Sequence, residues 1–143
     1  MIFIVLIMLI LLIASIYDIK NKAITLPMLI IGAVTAVICG IFQLYFGTTL
    51  YSEIVSLFPG ALVLAIAYLT REQIGFGDGF MILFLGPVFG LVNVIIGISA
   101  AFILSALFSA ALLIFKKAGK KSKLPFLPFL TAGMGVVCAI CSI

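Results

Sequence analysis

Apolar residues run along this chain in long unbroken blocks, and the few polar residues gather in the gaps between them. No block alternates polar and apolar positions as a half-buried strand would, so the pattern predicts helices rather than a closed barrel. The first block covers residues 2–17. The second starts near Pro27, a residue suited to a helix's first turn, and ends near Phe46. The third runs from about Ile54 to Leu69, and the last from about Leu124 to Ile143. Residues 79–115 are too many for one crossing, since a single helix there would be about 55 Å long against a hydrocarbon layer about 30 Å thick. Two helices are expected, broken near Gly90-Leu91-Val92-Asn93, with Pro87 kinking the first. That first helix is short, which predicts that it begins within the membrane at Asp78.

Composition fixes the solvent. A length of 143 residues would suit one small soluble domain. However, 66% of the residues are hydrophobic, 8% are charged, and the mean hydropathy is +1.54. A small soluble fold leaves too much of its chain exposed to hide that surface, so the bilayer must solvate it. There every backbone polar group must be satisfied internally. The expectation is an all-α integral membrane protein, a single domain over 1–143 with about six transmembrane helices.

Charge supports that count. With six crossings, Lys20, Lys22, Arg71, Lys116, Lys117, Lys120, Lys121 and Lys123 all fall on one face, and the connections near Gly47–Glu53 and Asn93 carry no Lys or Arg. Five crossings would place the lysine cluster opposite Arg71. The positive-inside rule makes the basic face cytoplasmic and puts both termini outside. The net charge of +4 therefore marks topology and does not indicate nucleic acid. The first block lacks a basic start, and its positive charges follow it, so it does not read as a cleaved signal peptide. The segment from Lys116 to Lys123 either contacts anionic lipid headgroups, at about 1 kcal/mol per basic residue, or only sets topology. Cys138 and Cys141 have the CxxC spacing of redox and metal sites. With no second ligand pair and apolar surroundings, they read as two small residues one turn apart in a span, and Cys39 likewise lies inside an apolar stretch.

Only four residues are acidic. A carboxylate in the hydrocarbon costs roughly 2.5–3.5 kcal/mol on insertion scales, which makes such acids functional candidates. The topology puts Asp18, at the end of the first span, on the same face as Asp78, at the start of the fourth. Two apposed carboxyl groups cannot both ionise cheaply and share one proton. The ionised member can take a proton from water while the protonated member donates to a carbonyl oxygen, which is general acid–base hydrolysis of an amide without metal or cofactor. The absence of His excludes Ser-His-Asp and Cys-His nucleophile systems and the usual zinc sites. Gly75, Gly77 and Gly79 let an extended peptide approach the backbone and permit positive φ. Plainer readings stand beside these: a glycine turn with Asp78 as helix N-cap, and Asp18 as an interfacial acid next to Lys20 and Lys22. Glu72 reads as a loop ion pair with Arg71, and Glu53 as a cap-like acid on the outer side.

These residues carry a resemblance. Tyr17-Asp18-Ile19-Lys20-Asn21-Lys22 and Gly75-Phe76-Gly77-Asp78 resemble the two aspartate motifs of type IV prepilin peptidases, the bacterial GxGD aspartyl proteases. Pro125-Phe126-Leu127-Pro128-Phe129-Leu130 is similar to that family's Pro-Phe-x-Pro-Phe stretch. The resemblance spans nearly the whole chain. It implies cleavage of leader peptides from prepilin-like partners at the cytoplasmic face of the cell membrane, after a Gly that follows a short basic leader. It implies Asp18 and Asp78 as the catalytic pair, Gly75, Gly77 and Gly79 shaping the site, Pro125 and Pro128 helping to form it, and no metal or cofactor. Two features depart from the family: Phe80 stands where many members have Lys, and Ile24-Thr25-Leu26-Pro27 replaces Ile-Pro-Asn. The cytoplasmic CxxC…CxxC zinc module of the bifunctional, methylating members has no counterpart, so the chain resembles the short peptidase-only form. The rival expectation is a small membrane transport or assembly subunit whose acids bind protons or cations. An inactive scaffold homologue is a third, and the presence of both aspartates argues against it.

Overall fold

The computed structural model describes residues 2–21, 26–70, 75–114 and 125–141. They form helices throughout: α1 (Ile2–Asn21), α2 (Leu26–Tyr45), α3 (Leu50–Ser56), α4 (Phe58–Leu69), α5 (Phe76–Ile114) and α6 (Leu127–Cys141). No strand occurs among the described residues. Four stretches are long and apolar enough to cross a bilayer: Ile2–Lys20, Leu26–Tyr45, Leu50–Leu69 (α3 with α4) and Phe76–Leu112, with Leu127–Ile140 a shorter apolar helix. Arg71, Glu72 and the segment from Lys116 to Lys123 lie outside the described residues, as do Ile24 and Thr25.

Several boundaries differ from the sequence expectation. Helix α1 continues past residue 17 to Asn21, so Asp18 lies inside a helix rather than after one. Helix α3 begins at Leu50, where Thr49 is the N-cap and its side chain accepts from the Ser52 amide at 3.4 Å. Glu53 is therefore a first-turn residue of α3 and not its cap. A single Thr before an apolar run was a weaker signal than an acid, yet its hydroxyl supplies the acceptor that the first amides need.

The long helix α5 is two helices. Gly90 has φ 76 and ψ 163, a left-handed, non-helical conformation that side chains disfavour. It separates an arm of residues 76–89 from an arm of residues 91–114. Pro87 stays within the helical arm, and the break lies at Gly90. The last carbonyls of the first arm lose their helical partners there. The Gln43 side chain of α2 donates to the Pro87 carbonyl, and the Asn93 amide donates to the Phe89 carbonyl at 2.9 Å. The chain reverses at this point. Along the first arm Gly79 faces Leu64 and Gly86 faces Ser56, so this arm is antiparallel to α3 and α4. Along the second, Gly97 faces Met134 and Val137, while Phe102 meets Phe126 with ring centroids 5.2 Å apart. The second arm thus descends antiparallel to α6, and residue 102 returns to the end of the bundle from which α6 starts.

Lipid offers helices no hydrophobic drive to associate, so close backbone approach at small residues does that work. A Cβ on Gly60 would overlap Leu83, one on Gly86 would overlap the Ser56 carbonyl, and one on Gly133 would overlap the Gly97 carbonyl. These glycines lock α4 and α6 against the two arms of α5. The buried core combines Ile7, Leu11 and Ala14 of α1 with Met81, Ile82 and Leu85 of α5 and Leu127, Leu130 and Met134 of α6.

Candidate active site

The core stripes end in acids. On α1 the buried positions Ile7, Leu11 and Ala14 continue at helical spacing to Asp18, which is 7% exposed. On α5 the buried positions Met81, Ile82 and Leu85 continue backwards, by the same spacing, to half-buried Asp78. Each aspartate therefore points where its helix's core face points, and the two carboxyl groups stand close enough for the charge of Asp18 to act on Asp78.

The local structure of α5 explains how Asp78 is held. The Gly75 carbonyl accepts from the amides of Asp78 at 3.1 Å and Gly79 at 3.4 Å. Helix α5 starts at Phe76, so Asp78 belongs to the first turn and does not cap it. The plainer N-cap reading of Asp78 fails on that count. A carboxylate in the first helical turn still gains from the helix dipole and its free amides. A Cβ on Gly75 would stand 3.2 Å from the Asp78 Oδ2, so this exposed glycine keeps the space beside the carboxyl open.

Helix α6 supplies a third component. The Leu127 amide donates to Asp18 Oδ2 at 3.4 Å in a buried setting. Leu127 opens α6, and its amide has no helical acceptor behind it. Pro128, the next residue, has no N–H and suits a helix's first turn. Pro125 precedes the helix, and both prolines are half-buried. Sequence reasoning singled out the prolines and missed Leu127. The usable signal was the Pro-x-x-Pro spacing, which starts a helix between the prolines and leaves only the amides of residues 126 and 127 to offer.

The other expected site residues fall as follows. Gly77 sits half-buried in the first turn of α5. Gly79 turns to α4, where a Cβ would stand 2.8 Å from Leu64 Cδ2. Phe80 lies two residues past Asp78, on the far side of the helix from it, and stacks on Phe84 with centroids 6.3 Å apart. Phe84 in turn seats on Gly32 of α2, where a Cβ would stand 3.0 Å from the ring. Cys138 lies half-buried in α6, and the side chain of Cys141 is outside the described set. No group of three or more His, Cys, Asp or Glu that could hold a metal occurs among the described residues.

What this arrangement can do follows from its parts. It brings two acids together at one end of a hydrophobic bundle, beside a glycine-opened helix start. A buried amide hydrogen-bonds one of them. No curated protein and no solved structure matches the chain. The type IV leader peptidase family matches it over residues 5–140. That match takes in all three motifs, the whole of α2 to α5 and nearly all of α1 and α6, and the chain belongs to the type IV leader peptidase family.

Proposed function

We propose that this membrane peptidase is an aspartyl endopeptidase of six crossings that removes the leader from prepilin-like proteins at the cytoplasmic face of the cell membrane. Asp18 and Asp78 form its catalytic pair. The observation that carries the reading is the convergence of these two acids at the ends of two core stripes, inside a family of leader peptidases. Membership of that family leaves the transport-subunit alternative without support.

The pair holds one proton between its two carboxyl groups. The ionised member takes a proton from a water molecule as that water attacks the scissile carbonyl, while the protonated member gives its proton to the carbonyl oxygen. The tetrahedral intermediate collapses, the proton taken from water passes to the departing amine, and the hydroxyl proton returns to the pair. The enzyme ends with the one shared proton it began with. In this reading Gly75 and Gly77 admit the extended peptide. The turn held by Pro125 and Pro128 presents the Leu127 amide that orients Asp18.

The test is co-expression with a cognate prepilin, read by the gel shift of leader removal. Asp18→Asn and Asp78→Asn are each expected to lower processing by at least about a hundredfold while still inserting in the membrane. Full processing by either variant would sink the two-aspartate mechanism.

A further inference from the structure

Helices α1 and α2 leave a cavity of about 300 Å³ between them toward the aspartate end of the bundle, lined by Ile10, Ile13 and Tyr17 of α1 and by Pro27, Met28 and Ile31 of α2. Ile10, Ile13 and Tyr17 follow one another at helical spacing and make a stripe about 10 Å long. That stripe adjoins the core stripe ending in Asp18. Ile10 belongs to both, and Tyr17 directly precedes Asp18. On the opposite wall Met28 also packs against the core. The remaining lining residues Ile13, Tyr17, Pro27 and Ile31 are exposed. The groove therefore starts beside one proposed catalytic acid and opens on the flank of the bundle, toward lipid.

Other seams of the bundle are closed by tight contacts. The Leu127 amide joins α6 to α1 at Asp18. Gly60 and Gly79 draw α4 onto the first arm of α5, and Phe84 of that arm seats on Gly32 of α2. Gly133 brings α6 onto the second arm. The groove stripe of α1 has no small residue to permit such an approach, and its large side chains hold α1 and α2 apart there. A partner approaching Asp18 through the hydrocarbon layer thus meets its open seam between α1 and α2.

The substrate has to supply something for that seam. A short basic leader cannot enter hydrocarbon, so the part of the substrate that anchors it in the membrane is an apolar segment on the far side of the cut. With the scissile bond at Asp18, that segment runs into the bilayer along the flank of the bundle. We infer that the groove between α1 and α2 docks the apolar segment of the prepilin-like substrate that immediately follows the cleaved bond. This inference rests on the peptidase reading above and adds the surface that selects the substrate. Five of the six lining residues are wholly apolar, and Tyr17 offers a ring with one hydroxyl, so the groove takes large aliphatic or aromatic side chains and rejects charged ones. Affinity there comes from packing against side chains, because lipid solvates an apolar segment as well as protein does.

The experiment measures cleavage of a cognate prepilin in lipid nanodiscs by the parent and by Ile13→Trp and Ile31→Trp, each of which fills the groove. Ile103→Trp, on the exposed flank of the second arm of α5, is the lipid-facing control. The two groove variants are expected to lower kcat/KM about tenfold, the scale on which an apolar pocket discriminates. Ile13→Leu and Ile103→Trp are expected to keep the parent's value. A second measurement does not depend on how the Trp variants fold. The photoreactive amino acid p-benzoylphenylalanine replaces Ile13 or Ile31 in the Asp78→Asn background, which holds the prepilin uncut. Illumination is expected to join either position to the apolar residues just after the cleavage site, mapped by mass spectrometry, and to do so more than the same probe in place of Ile103. If the parent cuts the prepilin but the groove probes capture only phospholipid, or capture no more prepilin than the Ile103 probe, an acyl chain fills the groove and the inference falls while the peptidase reading stands. Folded Ile13→Trp and Ile31→Trp that cut at the parent's rate overturn it equally. A parent that leaves its cognate prepilin uncut removes the peptidase reading and the inference with it.

Discussion

Asp18 is held on two counts, by the buried stripe that aims it inward and by the Leu127 amide that meets its Oδ2 at 3.4 Å. Asn at this position keeps the acceptor oxygen, whereas Leu removes it and strands a buried amide donor. Asp18→Asn is therefore expected to unfold in detergent with the parent's midpoint, and Asp18→Leu to lose about 1–3 kcal/mol. A thermal or denaturant melt of the two variants side by side checks this, and equal stability would remove the hydrogen bond from the account. At this scale the sequence was legible where identity carries the chemistry. Four acids in a hydrophobic chain could be found by inspection, and a helical count placed two of them on one face. Leu127 was not legible, because a backbone amide bears no residue identity and its role arises from where α6 begins. Thr49 was missed for a related reason: the nearby acid drew the cap assignment that the hydroxyl holds.

Elements in this fold are joined by glycines, and the glycines make distinct predictions. Gly60 faces the backbone of Leu83, which cannot yield, whereas Gly79 faces mainly the flexible end of the Leu64 side chain. Gly60→Ala is thus expected to destabilise by about 1–3 kcal/mol through overpacking, and Gly79→Ala by less. Gly135 has nothing within 4 Å of its would-be Cβ. Gly135→Ala is expected to be neutral or to stabilise α6 by up to about 1 kcal/mol through helix propensity. Melting the three variants in one detergent tests the order, and a Gly135 variant weaker than the Gly60 variant would contradict it. Gly90 is different again, since its φ of 76 resists any side chain, and Gly90→Ala should cost about 1–3 kcal/mol by strain alone. The break at Gly90 was readable from length, because residues 79–115 were too long for one crossing. Which glycines serve packing was not readable, since a glycine meets its partner only through the tertiary fold. Gly79 shows this: its place beside Asp78 in sequence suggested the site, and the helix turns it to α4.

The whole molecule is a helical bundle with Asp18 and Asp78, the proposed catalytic pair, at one end. Its first α5 arm, residues 76–89, is about 21 Å long, less than the roughly 30 Å of hydrocarbon. Asp78 can therefore sit below the membrane surface while still reached from it, as a site that cuts a membrane-anchored partner requires. The proposed six crossings, with the aspartates on the inner face, make a labelling prediction. In a protein without its native cysteines, Thr48→Cys should react with an impermeant thiol reagent on intact cells, and Lys22→Cys only after permeabilisation. The opposite pattern would invert the orientation and remove the cytoplasmic site. Hydropathy made the long apolar helices legible, whereas the hairpin within α5 needed the Gly90 conformation and the pairing of its arms with α4 and α6; the orientation rests on the spread of Lys and Arg, and the labelling tests it. The central claim is that this chain alone, through Asp18 and Asp78, cuts a prepilin leader. The most direct measurement incubates the purified protein in nanodiscs with a purified prepilin and a metal chelator, and reads the products by mass spectrometry. The account predicts one cut, after the Gly at the end of the basic leader, made by the parent and by neither Asp18→Asn nor Asp78→Asn. Cleavage of the same bond by either variant, or no cleavage by the parent with its cognate prepilin, would contradict it.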